Sequence, residues 1–121
     1  MKREFVPYEQ ALELKELGFN ENCLAFYNFE ERLMPIDTDF TNFRELSDDL
    51  TKAPLYQQAF RWFREKYNFK YSIGITNICV YHIPHIPVSN YHTTFILQDC
   101  ESYEDAQLQC IKAFIDHAKQ K

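Results

Sequence analysis

Glycine is nearly missing from this chain, with two residues in 121. That leaves no glycine-rich loop to cradle a phosphate and no dinucleotide-binding fingerprint. Long apolar runs are missing as well, and no segment approaches the roughly 20 residues that a membrane-spanning helix requires. Lys2 and Arg3 are followed by no apolar stretch, so no secretory leader is expected. The four cysteines, Cys23, Cys79, Cys100 and Cys110, contain no Cys-x-x-Cys pair. They are expected to be free thiols in a reducing compartment. Together these absences lead us to expect a cytoplasmic protein without a membrane partner. No serine stands in a Gly-x-Ser-x-Gly context. The net charge of -5 disfavours phosphate backbones, whose binding rests on lysine and arginine, so no nucleic-acid partner is expected.

Aromatic side chains are abundant, with eleven Phe and eight Tyr, 17% of the chain counting Trp62. A chain of 14.6 kDa buries about two-thirds of its extended surface on folding. A single domain over 1–121 is therefore expected, with a core that needs no staple. The densest aromatic segment is 53–69. At 100° per residue, Leu55, Tyr56, Ala59, Phe60, Phe63 and Tyr67 share one arc, with Trp62 at its edge. Gln57, Gln58, Arg61, Arg64 and Glu65 fill the other side. Pro54 suits a first helical position, and Asn68 suits a left-handed stop.

A first helix is expected over 7–17, opened by Pro7, closed by Gly18 and acidic along Glu9, Glu13 and Glu16. Residues 22–30 suit a strand. Met34-Pro35-Ile36 suits a short edge strand, because proline cannot donate to a central ladder. Residues 37–52 read as a polar loop with a helical turn near Ser47 to Leu50. Alternation predicts strands over 69–75, 78–83 and 91–97, the first two joined by a turn at Thr76-Asn77. A simple hairpin register pairs Val80 with Thr94 and His82 with His92. Ser102 is a natural N-cap for a final helix, with Asp105 at the capping-box position. The fold class expected is α+β: a roughly four-stranded antiparallel sheet with three helices packed mainly on one face.

Candidates for chemistry are few. His82, His85 and His92 lie within eleven positions, and imidazoles are good ligands for zinc, nickel or copper. Their spacing matches no established zinc motif. Asp37-x-Asp39 and Asp48-Asp49 could offer oxygen ligands, but the loop lacks the glycine and terminal glutamate of a calcium loop. Cys110 falls on the apolar side of the last helix and is expected to be inert. Cys100 precedes the Ser102 cap, where a helix N-terminus favours the thiolate, but Asp99 and Glu101 oppose it.

Three segments carry a resemblance. They are Phe5-Val6-Pro7-Tyr8-Glu9-Gln10-Ala11-Leu12 with Leu14-Lys15-Glu16-Leu17-Gly18-Phe19; Ala53-Pro54-Leu55-Tyr56-Gln57-Gln58-Ala59-Phe60-Arg61-Trp62-Phe63-Arg64-Glu65-Lys66-Tyr67; and Ser102-Tyr103-Glu104-Asp105-Ala106 with Cys110-Ile111. As a set they resemble a group of small proteins common in Bacteroidetes genomes and their phages or prophages, a group without an assigned activity. The resemblance implies a cellular setting and no mechanism; the stretch 82–92 is not part of it. The function expected is a non-enzymatic protein-binding or regulatory module, without a cofactor, acting as an accessory factor of a mobile element. Trp62, Tyr56 and Tyr91 are its candidate anchors, because aromatic side chains dominate interface hot spots. Its partner is expected to be a protein, with self-association as an alternative. The rival expectation is a metal-binding protein or small metal-dependent hydrolase using His82, His85 and His92. A third is an inhibitor presenting the acidic face of the first helix.

Overall fold

This computed structural model describes residues 4–28, 30–35, 50–74, 76–84 and 92–120. Its elements run α1 (Tyr8–Glu16), β1 (Ala25–Tyr27), β2 (Leu33–Pro35), β3 (Thr51–Ala53), α2 (Tyr56–Tyr67), β4 (Lys70–Ile73), β5 (Cys79–Pro84), β6 (His92–Leu97) and α3 (Tyr103–Lys119). The chain divides into two compact units, Met1–Tyr56 and Gln57–Lys121.

In the first unit, Gly18 at φ 102° takes the left-handed conformation that ends α1. An antiparallel sheet of order β2-β1-β3 follows. Ala25 stands opposite Pro35 on one side and Ala53 on the other. Pro35 therefore lies on an outer strand, as its missing N–H requires. Cys23, Ala25 and Tyr27 are buried while Leu24 is 67% exposed, so only one face of this segment joins the core with Val6, Ala11, Leu14 and Phe19.

The Tyr27 hydroxyl donates to the Val6 carbonyl at 2.6 Å, and burial pushes its phenol above the ordinary value of 10.0. The folded state thus holds its proton at a pH where the unfolded chain has released it. Stability is complete below pH 10 and declines as pH rises beyond it. Tyr27→Phe is expected to cost about 1–2 kcal/mol at pH 7 by orphaning the Val6 carbonyl, and to flatten the decline above pH 10. Urea unfolding at pH 7 and in alkali measures both.

In the second unit, α2 ends in a left-handed αL cap. Asn68 sits at φ 61°, Asn68 N–H donates to Arg64 O at 3.0 Å and Phe69 N–H to Phe63 O at 3.4 Å. The β4–β5 hairpin turns at Gly74–Asn77, with Asn77 at φ 61° and its N–H donating to Gly74 O at 3.0 Å. The antiparallel sheet has order β4-β5-β6. Tyr71, Cys79, Tyr81 and Phe95 fall on one face by register, where Tyr71 stands opposite Tyr81 and Tyr81 opposite Phe95. Both helices cover that face: Phe60 of α2 stacks on Tyr71 at 3.9 Å, and Phe114 of α3 meets Tyr81 edge-on at 5.7 Å. Phe114 also touches Phe60, Phe63 and Phe69.

At the head of α3, the Ser102 hydroxyl accepts from Asp105 N–H at 3.0 Å, and the Asp105 carboxylate accepts from Glu101 N–H at 3.1 Å. Ser102→Ala is expected to cost about 1 kcal/mol, a fall of roughly 4 °C in Tm, measured by thermal unfolding against the parent.

The α+β class and the three helices are as expected; the single four-stranded sheet is not. Strand β1 pairs with β2 and β3 instead, making a second sheet. Its partner Thr51–Ala53 takes its first two residues from the expected loop and its third from the segment expected to be helix, and Leu55 bridges Phe5. α2 therefore starts at Tyr56, not at Pro54. The β5–β6 register is shifted by two residues, placing His82 opposite Thr94 and Pro84 opposite His92. A shift of two keeps every residue on its predicted face.

Candidate functional site

Burial decides the role of the two described aromatic candidates. Trp62 is 8% exposed and Tyr56 5%. The Trp62 ring meets Phe63 edge-on at 5.1 Å and Tyr67 at 5.7 Å. The Lys66 ammonium lies 4.9 Å from its centroid, a cation–π contact at the rim of the core. Neither ring is presented to solvent as an anchor needs to be, because the apolar arc that predicted helix α2 is the arc that packs. Tyr91 lies outside the described residues.

His82 and His92 are not directly paired. His82 is partly exposed, and its Nδ1 lies 3.0 Å from Thr94 Oγ1, its cross-strand neighbour. The backbone of His92 stands two pairs further along the ladder, opposite Pro84. His85 lies outside the described residues, as do Asp37, Asp39, Asp48 and Asp49. Among the described residues no group of three or more His, Cys, Asp or Glu is placed to hold a metal ion. On α1, Glu9 and Glu16 are exposed and Glu13 partly so.

All four cysteines are free; Cys23, Cys79 and Cys110 are buried and Cys100 is partly exposed. Burial pushes the Cys100 thiol up, with Asp105, Cys79 and Asp99 adding to the shift. A raised thiol is a poor nucleophile at neutral pH.

The exposed apolar side chains lie elsewhere. Among the described residues Leu24, Met34, Ile78, Ile96 and Tyr103 are the large ones that face solvent, and Ile96 is 57% exposed. On the face of the second sheet turned away from α2 and α3, Ile96 stands opposite Val80, which stands opposite Ser72. Alternation on 91–97 already separated Thr94 and Ile96 from Phe95 and Leu97, so the signal was present in the sequence.

Ile96 belongs to an outer strand. Among the described residues β6 pairs with β5 alone. Unpaired strand edges are templates for further pairing, which lysine and proline on the edge discourage. The other outer strands carry such a residue: Pro35 on β2, Lys52 on β3 and Lys70 on β4. Strand β6, His-Thr-Thr-Phe-Ile-Leu, carries neither.

Among the described residues no helix is long and apolar enough to cross a membrane. No protein-family model, curated protein or solved structure matches this chain.

Proposed function

We propose that this protein is a non-enzymatic protein-binding module that accepts an extended segment of a partner protein along the edge of β6. The observation that carries the reading is the contrast among the outer strands: β6 alone lacks both lysine and proline, and it presents Ile96 at 57% exposure. Strand addition takes its affinity from main-chain hydrogen bonds and its specificity from alternate side chains. A partner segment with an aliphatic residue beside Ile96 would extend the Val80–Ile96 row. By the resemblance of the three segments above, the setting is that of an accessory factor of a phage or mobile element. The test is capture of partners from the native host by the parent chain and by a Thr94→Lys/Ile96→Lys double variant. Loss of a captured protein in the variant supports the reading; an unchanged set of captured proteins refutes it.

A further inference from the structure

Cys79 and Cys110 are far apart in sequence but lie on elements that pack together in the core of the second unit. Cys79 opens β5, opposite Ile73 of β4 and Leu97 of β6. Cys110 lies midway along α3, which packs on β5. Both are 0% exposed and neither is in a disulfide. Cys79 shares the sheet face of Tyr81, two residues further along β5, and Cys110 lies one helical turn before Phe114, whose ring meets Tyr81 at 5.7 Å, so the same packing sets Cys110 over Cys79. Two buried sulfurs facing one another between a strand and the helix packed against it are placed for a bond with the covalent separation of about 2.0 Å. We propose that Cys79 and Cys110 form a reversible dithiol–disulfide site, oxidised by hydrogen peroxide, that fastens α3 to β5.

The chemistry balances without further reagents. The Cys79 sulfur attacks one peroxide oxygen; the O–O bond breaks, Cys79 becomes a sulfenic acid and one water leaves with the former thiol proton. The Cys110 sulfur then attacks Cys79 sulfur. The S–S bond forms, the S–O bond breaks, and a second water leaves with the Cys110 proton. Two thiols lose two electrons and peroxide becomes two waters. The neighbouring Cys110 pulls the Cys79 thiol below its usual range while burial holds the Cys110 thiol far above it. Cys79 is the attacking sulfur and Cys110 the resolving one. Complete burial makes the rate follow the opening of α3 from the sheet. A thiol reductant restores the starting state.

The experiment treats folded, full-length protein with hydrogen peroxide, blocks remaining thiols by alkylation and maps the peptides without reduction. The expected product is a Cys79–Cys110 cross-linked pair lacking two hydrogens, with Tm raised by on the order of 10 °C and returned to its starting value by dithiothreitol. Cys100→Ala is expected to keep the cross-link and the thermal shift; Cys110→Ala is expected to abolish both. Oxidation confined to Cys100, a cross-link from Cys79 to Cys100, or a Cys79–Cys110 bridge that forms only after denaturation would overturn the proposal. The peptide map of the parent chain decides even where a cysteine variant fails to fold.

Discussion

Replacing Phe114 by alanine is expected to destabilise the second unit by about 3–5 kcal/mol. The ring is fully buried. Its centroid lies 5.9 Å from Phe60, 5.3 Å from Phe63, 5.2 Å from Phe69 and 5.7 Å from Tyr81. Those four rings come from α2, the turn after it and β5, so one side chain of α3 closes the core on three sides. Removing it deletes the transfer free energy of a phenyl group and leaves a cavity walled by rigid rings that collapse poorly. The cost is a large part of the roughly 5–15 kcal/mol that holds a domain together, and Tm is expected to fall by about 10–20 °C. Phe114→Leu keeps most of the volume and is expected to cost about 1.5 kcal/mol or less. Chemical denaturation of both variants measures the difference. A loss below about 1 kcal/mol for Phe114→Ala would show that the rings do not pack in this arrangement.

Lysine at Thr94 and Ile96 is expected to weaken partner binding by about 10–100-fold, equivalent to about 1.4–2.8 kcal/mol. Both side chains are exposed, Ile96 at 57%, so the folded chain loses little by the change. A partner strand would have to pass two desolvating ammonium groups where it now meets a methyl and a branched aliphatic. Ser72→Lys provides the control, because Ser72 shares the face with Val80 and Ile96 but belongs to the opposite edge strand. Binding retained in Ser72→Lys and lost in the double variant assigns the contact to the β6 edge. Equal loss in both would assign it to the sheet face and contradict edge addition. Quantitative capture with thermal unfolding as the folding control reads each outcome.

The elements that local chemistry specifies were readable in advance. Helix α3 has its cap at Ser102 and Asp105, and α2 has its stop at Asn68, because both signals act within a few residues. Features set by distant pairing were not readable. Thr51–Ala53 is too short to show alternation, and its strand character comes from β1, more than twenty residues earlier. The start of α2 shifted for the same reason: Leu55 bridges Phe5, so Pro54 precedes the helix and does not open it. The β5–β6 register was ambiguous by two because a shift of two leaves both faces unchanged, and hairpin length was the missing constraint. Composition announced an aromatic core, but it could not say that Trp62 and Tyr56 would be inside it and Ile96 outside. The placing of Cys79 and Cys110 in one buried layer had no spacing signal at all, since a strand and the helix packed on it supply them.

Residue-resolved amide hydrogen exchange on the free chain is the most direct test of an open β6. Strand β5 is paired on both sides and is expected to be protected throughout. In β6, the amides that point away from β5 are expected to exchange quickly and those bonded to β5 slowly, giving an alternating pattern. Uniform protection of β6 at the level of β5 would mean that its edge is already covered, and would contradict the account.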